Sequence, residues 1–566
     1  MASLIETGKA SKLRNSYSTH RCTPSRAQLL TGRYAFRYGL GTDPLSSEVP
    51  AGLSLEEKLL PQYLKELEYS THAVGKWHLG YCNDSFLPQN RGFDTFLGHY
   101  GGAVDYHSHV ASGDFKNYLN HFLDGKPHIP ESGFEFASYT WSNRTIKILR
   151  ENADEPNFVY LAFNAPHEKV DAPQILKDEM DALYPDLPST RRMQLAAVKS
   201  IDIAMESVIK EASKLDRETI VIFHSDNGGA LQAYGSLEKG PRGCSFPFKG
   251  YKSTLAEGGT LSPSWIYSTK RQFHSRNIDG IISIMDFFPT ILHWAGYNKP
   301  LPRNLDGIDQ HALFENSTVS QIRDKFIYAI LHEWDDDSLA WKTTYAVRFG
   351  DFKFMNYRSK LIGNTQCPEG WSNHEHTKFL FPDPSQRQTK MRKVWDLSDP
   401  QPNKEVGEMI RSSGFSLYNL KNDPFELNNL ALKNEASRKY KDLINEIQSY
   451  VAEEMQKGIE YPLTGKLKGG KLLAKIMRKI PFEEKMQHYY DTGRIYPFDS
   501  VVRNKTGLDG YLGSNWCPNK LDEALFSKMY FEAVENNQKK NAFLINKYLW
   551  DGLGPDRSGN LDEEDF

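Results

Sequence analysis

The chain has 566 residues, 39% of them hydrophobic and 12% aromatic, with a formal net charge of −3. That length exceeds what one compact core accommodates and predicts a large domain, a smaller one and extensions. The near-neutral balance gives no basis for a nucleic-acid partner, and no apolar run of about eighteen residues marks a transmembrane helix.

The first fifteen residues are polar and charged and lack the apolar centre of a signal peptide. Sequons stand at Asn83, Asn143, Asn316 and Asn504. The five cysteines, Cys22, Cys82, Cys244, Cys367 and Cys517, form neither a zinc pattern nor a disulfide framework. In Cys22-Thr23-Pro24-Ser25-Arg26 and the following Ala27 to Arg33, Pro24 and Gly32 bracket a short helix. Cys22 then sits at the helix N-terminus, where the dipole and free N–H groups favour an anion, and Arg26 adds a positive charge one turn on.

A helical stretch from Leu55 to Leu67 precedes a strand, Thr71 to Val74. The strand leads into Gly75-Lys76-Trp77-His78-Leu79-Gly80, where Lys76 and His78 share one side of an extended chain. A cation and an imidazole there suit an anionic transition state and a leaving oxygen that needs a proton. Asn157 to Phe163 and Thr219 to Phe223 read as buried strands, and helical spacing from Met193 to Ile209 joins them into a strand–helix–strand unit. The first strand ends at Asn164-Ala165-Pro166-His167. The second ends at Asp226-Asn227-Gly228-Gly229, either a plain turn or a pair of hard oxygen ligands for Ca²⁺ or Mg²⁺. Each cluster alone has a bland reading. Together they fall at strand carboxyl ends, which converge on one crevice in an open α/β sheet.

Beyond residue 340 the pattern changes. Gly350-Asp351 between Tyr345–Phe349 and Phe352–Met355 predicts a tight hairpin. Val394–Leu397 and Leu417–Leu420 read as further strands and 435–455 as a helix, while Asp335-Asp336-Asp337 reads as a loop. The expected division is a catalytic domain over 1–335, a small antiparallel α+β domain over 336–460, and an extension over 461–566. The extension's lysine-rich stretch (Lys466 to Lys479) and acidic tail read as solvated surface.

Cys-x-Pro-Ser-Arg followed by Leu-Thr-Gly-Arg resembles the signature of the sulfatase family, and Gly-Lys-Trp-His-Leu-Gly resembles its second hallmark. Leu55–Pro61, Tyr69–His72, Arg91–Asp94, Asp105–His109, Asp286–Thr290, Leu305–Gly307 and Leu417–Leu420 with Asp423-Pro424 extend the likeness toward the arylsulfatase B-like (N-acetylgalactosamine-4-sulfatase-like) branch. The resemblance implies an alkaline-phosphatase-like mixed sheet sandwiched by helices, with a smaller C-terminal antiparallel α+β domain. It also implies conversion of Cys22 to formylglycine by a formylglycine-generating enzyme. In the family one hydroxyl of the hydrated aldehyde attacks sulfur and the other later helps to expel sulfate. By resemblance Cys22, Arg26, Lys76, His78, His167 and Lys252 are the catalytic set, and Cys22, Asp226 and Asn227 hold Ca²⁺ or Mg²⁺.

The family also carries an Asp-Asp pair at the end of a strand ahead of the signature. No Asp precedes Cys22 here, and Glu6 is the acidic residue available. The expectation is an N-terminally shortened form of a lysosomal or secreted sulfatase, cleaving aryl or glycosaminoglycan-type sulfates. The alternative is a catalytically impaired relative that binds sulfated glycans through its cations. Hydrolysis of phosphate or phosphonate esters is a third reading.

Overall fold

The computed structural model describes residues 2–45, then 51–356 apart from short stretches between 82 and 133, between 231 and 246, and at 336–339, and finally 415–432 and 439–458. Helix α1 (Ala2–Glu6) leads into β1 (Ala10–Tyr17), which pairs antiparallel with β8 (Ser264–Ser268) and parallel with β9 (Asn277–Ser283). β8 also pairs with β7 (Ile220–His224), giving the order β7-β8-β1-β9. In a second sheet β2 (Ser70–Lys76) lies parallel to β3 (Thr95–His99) and β6 (Asn157–Ala162). The short β4 (Phe122–Leu123) and β5 (Lys126–Pro127) complete the order β5-β4-β3-β2-β6. The mixed α/β architecture expected from the sequence is present.

Helices cover the sheets because alternate strand residues point to opposite faces. Val74 packs into one apolar cluster with Trp141 of α4 (Ala137–Glu151) and Met205 of α6 (Ser189–Ala212). The neighbouring Ala73 packs into another, with Leu30 of α2 (Cys22–Thr31), Leu60 of α3 (Leu60–Leu64) and Phe288 of α8 (Phe287–Trp294). A side chain such as Leu60, with 0% exposure, contributes roughly 1.5–3 kcal/mol by leaving water. Helix α5 (Gln174–Leu183) packs on α6 through Leu176 and Met180, and α7 (Glu257–Thr260) and α9 (His311–Glu315) are short.

The helix expected over Leu55–Leu67 is shorter. Only Leu60–Leu64 is α-helical, followed by one tighter turn over Lys65–Leu67. Pro61 lacks an N–H and disfavours helix in the residue before it, so it sits in the first turn, and the backbone N–H of Leu59 is taken by the Gln62 side chain at 2.8 Å.

β6 and β7 are both present where expected, yet they are not fully buried. Each ends its sheet, and all residues of both except Ala162 are half-buried. Val159, Leu161, Val221 and Phe223 contribute to the same apolar cluster, and both strands line one cavity of about 3820 Å³. Interior parallel strands are ordinarily covered on both faces and paired on both edges. Here the second edges face the cavity, which accounts for the exposure.

The smaller sheet is antiparallel, β10-β11-β12-β13, formed by Lys325–Asp335, Ala340–Phe349, Phe352–Asn356 and Ser416–Asn419. The predicted hairpin is there, with Phe349 opposite Phe352. Helix α10 (Lys441–Gln456) packs Ile444, Ile447 and Val451 against Phe326, Phe354 and Leu417. The boundary expected at 335/336 cuts through this unit. β10 pairs with β11 along its length, so the small sheet begins at Lys325, and Asp335 ends a strand rather than lying in a loop. Val394–Leu397, the span 461–566 and Asn504 lie outside the described residues. Among the described residues no helix is long and apolar enough to cross a membrane.

Candidate active site

After β1 the chain turns into α2. Ser25 ties that turn, accepting from the Thr19 backbone N–H at 3.0 Å and contacting the Thr19 hydroxyl at 2.8 Å. Cys22 becomes the first helical residue, unpaired and 2% exposed. Gly32 closes the helix as expected. Its φ is +66°, and a Cβ there would stand 2.7 Å from Leu305 Cδ1.

β2 delivers Lys76 and His78. Lys76 is buried, and the Thr23 hydroxyl donates to the His78 carbonyl at 3.0 Å, fixing this segment against α2. His78 Nε2 lies 2.9 Å from the Leu45 carbonyl, which can only accept. The proton therefore sits on Nε2, and Nδ1 is left as a lone pair without a hydrogen-bond partner.

His167 follows β6, and its Nε2 lies 3.1 Å from Lys252 Nζ. The ammonium donates, so the neutral ring carries its proton on Nδ1. Lys252 is held by its own backbone, which donates to the Gly229 carbonyl at 2.9 Å, while the next residue, Ser253, donates to His20. Asp226 and Asn227 follow β7. The adjacent Gly228 approaches Gly258 so closely that a Cβ would lie 1.9 Å from its carbonyl oxygen. Asn227 Oδ1 is 3.4 Å from Cys22 Sγ.

Arg26 joins these segments. Its Nε and Nη2 donate to Asp226 Oδ2 at 3.1 and 2.8 Å, and its Nη1 donates to the Lys76 carbonyl at 2.9 Å and the Tyr160 hydroxyl at 3.1 Å. All the sequence-predicted residues, Cys22, Arg26, Lys76, His78, His167, Asp226, Asn227 and Lys252, line one cavity. Tyr160, Asn164 and Arg21 line it as well and were not anticipated. Tyr160 is an apolar-run residue whose hydroxyl reveals itself only when β6 lies beside α2. Asn164 had a signal, its place beside His167, and its Nδ2 is buried without a partner.

The electrostatics favour an anion. Burial pushes the Cys22 thiol up, but Lys252 and Lys76, with His167 and His78 beside it, bring it well below its ordinary value. Burial lowers Lys252, yet the Cys22 sulfur and Asp226 raise it further, so it stays an ammonium. Lys76 is lowered, mainly by burial, with Arg26 adding to it and Cys22 opposing. Burial and the nearby Lys252 and Lys76 bring His167 down to about 3, and burial and Lys76 lower His78. Both rings are therefore neutral near pH 7. Asp226 is pushed up by burial and by Cys22, and its three cationic neighbours more than reverse this. Three cations thus face one carboxylate, an arrangement that stabilises negative charge at the α2 N-terminus.

Asp226 and Asn227 fit a Ca²⁺ or Mg²⁺ ion in kind, as hard oxygen donors beside Cys22, but not in number. Such ions take about six to eight oxygens or a near-octahedral set, and Asp226 Oδ2 already receives two hydrogen bonds from Arg26. Among the described residues this pocket brings no three His, Cys, Asp or Glu ligand atoms within 4.8 Å of one another.

The fold is thus a mixed α/β one that sets a cysteine at a helix start inside a cationic pocket. The family described as Sulfatase matches residues 6–297, just over half of the chain, and the chain belongs to it. It is 31% identical to arylsulfatase J of Mus musculus over 303 residues, 53% of this chain and 49% of that one. It is 30% identical to N-acetylgalactosamine-6-sulfatase of Homo sapiens over 312 residues, 52% and 57% of the two chains. The chain therefore spans about half the length of these curated relatives. The crystal structure of Ps i-CgsB in complex with k-i-k-neocarrahexaose superposes with a TM-score of 0.61 at 20% identity, covering 84% of this chain and 92% of that one. The fold is alkaline-phosphatase-like.

Proposed function

We propose that this protein hydrolyses sulfate monoesters of aryl or glycan substrates through formylglycine made from Cys22 by a formylglycine-generating enzyme. The observation that carries this reading is the convergence of Lys252, Lys76, His78 and His167 on the sulfur of a free cysteine at a helix N-terminus. Formylglycine, once formed, supplies a hydrated aldehyde as nucleophile. The chain's own residues do the rest. Lys76 and Lys252 hold the sulfuryl oxygens and offset the charge that develops on them, and Arg26, engaged by Asp226, the Lys76 carbonyl and Tyr160, stabilises the modified Cys22. His78 keeps its proton toward Leu45, so its free Nδ1 lone pair can accept one from the nucleophile. Lys252 and the Nδ1–H of His167 are the donors available to the departing oxygen.

Asp226 and Asn227 would hold part of the coordination shell of a Ca²⁺ or Mg²⁺ ion. The arylsulfatase B-like branch, a sulfated-glycan substrate and a lysosomal or secreted location belong to the same proposal. The N-acetylgalactosamine-6-sulfatase relative and the oligosaccharide-bound neighbour favour the glycan, and Asn143 stands exposed on α4 for glycosylation.

The test is turnover of an aryl sulfate by protein co-expressed with the formylglycine-generating enzyme, with peptide mass reporting the state of Cys22. Converted protein should outpace Cys22→Ala by orders of magnitude and prefer aryl sulfate to aryl phosphate. Equal rates for converted protein and Cys22→Ala, with Ca²⁺ supplied, would overturn the proposal. Salt-sensitive binding of sulfated glycans without turnover would leave the binding alternative in its place.

A further inference from the structure

Away from the Cys22 cavity, His293, Asp309 and His311 bring three ligand atoms within 4.8 Å of one another. His293 stands in the last turn of α8, His311 opens α9, and Asp309 lies two residues before it. Asp309 Oδ2 is 2.9 Å from His293 Nδ1 and 2.8 Å from His311 Nδ1. The two imidazoles stack at 3.5 Å between centroids. Two imidazoles both aimed through Nδ1 at one carboxylate oxygen offer a set of donors rather than an ordinary ion pair.

The backbone that carries this set is fixed. Ile308 donates to Asp286 Oδ1 at 2.8 Å, and Gln310 donates to the Thr290 hydroxyl at 2.8 Å. Asp286 and Thr290 are buried at 0% exposure, and Arg323 binds Asp286 through its Nε at 2.7 Å and through Nη2. Thr290 lies one turn before His293 on α8, so the residues on either side of Asp309 are pinned to the element that carries His293. The His311 backbone N–H donates to Asp309 Oδ1 at 3.0 Å, leaving Oδ2 to the two rings. Ligands held this way by a second layer of hydrogen bonds lose little freedom on binding an ion.

We propose that His293, Asp309 and His311 form a binding site for a divalent transition-metal ion of the zinc class, with water completing the coordination. Two imidazole nitrogens and one carboxylate suit Zn²⁺, Co²⁺ or Cu²⁺ and disfavour Ca²⁺, which takes oxygen ligands. Around a tetrahedral ion with bonds of about 2.0–2.1 Å, ligand atoms stand about 3.3 Å apart. The site reaches that spacing by opening each Nδ1–Oδ2 distance by about half an ångström and by tilting the stacked rings apart. Their side chains are 46% and 33% exposed, which leaves room to tilt.

The ion would clamp α8 to the loop before α9. That loop also donates from Asp306 and Gly307 to the Gly32 carbonyl at the end of α2, the helix that begins at Cys22. The site is therefore structural, distinct from the oxygen ligands Asp226 and Asn227.

The experiment uses the full chain carrying Cys22→Ala, so that the Cys22 sulfur contributes no zinc ligand, and reads the site from the difference between this protein and its ligand variants. Zn²⁺ binding is measured by competition with a chromophoric chelator, and Co²⁺ is titrated with its visible absorption recorded. One equivalent of Zn²⁺ should bind, Ca²⁺ should not displace it, and Co²⁺ should show the intense bands of a four- or five-coordinate site. His293→Ala and Asp309→Asn should each weaken Zn²⁺ at least about tenfold, with circular dichroism confirming the fold. Asp309→Asn keeps the volume and the hydrogen-bonding oxygen, so its effect reads the ligand charge. Absence of saturable binding, or affinity unchanged in both variants, overturns the site.

Discussion

The molecule buries charge in two places and treats it in opposite ways. Around Lys353 one ammonium meets two carboxylates, and each charged group has an ion-pair or hydrogen-bond partner. Its Nζ lies 2.8 Å from Glu257 and 3.0 Å from Glu426, all three side chains are at most 3% exposed, and the Tyr17 and Tyr328 hydroxyls donate to Glu257 at 3.0 and 3.1 Å. The Glu257 backbone N–H donates to Glu426 at 2.8 Å. Around Cys22 three cations face one carboxylate, and Asn164 Nδ2 and the Nδ1 atoms of His78 and His167 lack partners. A satisfied buried ion joins two units, here β12 of the small sheet to α7 of the large domain. A buried cationic excess beside a cavity is organised to receive an anion. Burial of charge alone does not separate scaffold from site; the balance of partners does.

Five single substitutions, one joint replacement and a pH titration would break or sharpen this contrast. Cys22→Ala should cost converted enzyme about 10⁴ or more in kcat on an aryl sulfate, while its urea midpoint stays close to that of the parent; a large stability loss would put Cys22 on the scaffold side. Lys353→Met should do the reverse. It strands two buried carboxylates and should cost about 3–5 kcal/mol in urea unfolding, and a smaller loss for the joint replacement of Lys353, Glu257 and Glu426 by apolar residues would locate that cost in the unpaired charges. Lys252→Ala should lower kcat about 10²–10³-fold with little change in stability, read by steady-state kinetics and thermal melting together.

Acid should weaken the pocket through its neutral histidines. His20 and His167 both lie near 3 in the folded protein, mainly through burial, with Arg21 beside the first and Lys252 beside the second. Below the ordinary histidine value of about 6.5 the unfolded chain binds protons that the folded chain refuses. Their effect is absent above that pH, and stability falls as pH drops from there toward about 3. His167→Asn should flatten that slope in unfolding measured at several pH values; an unchanged slope removes His167 from the account. The smallest effect belongs to Arg14→Ala. The pair with Asp279 has side chains 57% and 66% exposed, so its loss should change urea stability by less than about 0.5 kcal/mol.

The sequence by itself pointed to the residues that meet at the Cys22 cavity, through motifs that follow β1, β2, β6 and β7 and, for Lys252, through family resemblance. It also determined the hairpin at Gly350-Asp351, where turn chemistry is local, and the course of α6, whose spacing runs over many turns. The tertiary structure alone decided what depends on distant partners. It put the Tyr160 hydroxyl on Arg26, brought Lys353 to Glu257, gathered His293, Asp309 and His311, and started the small sheet at Lys325. It also left β6 and β7 as half-buried edges. An apolar run records that a strand seeks cover, whereas pairing along its edge is made by backbone groups that every residue carries alike.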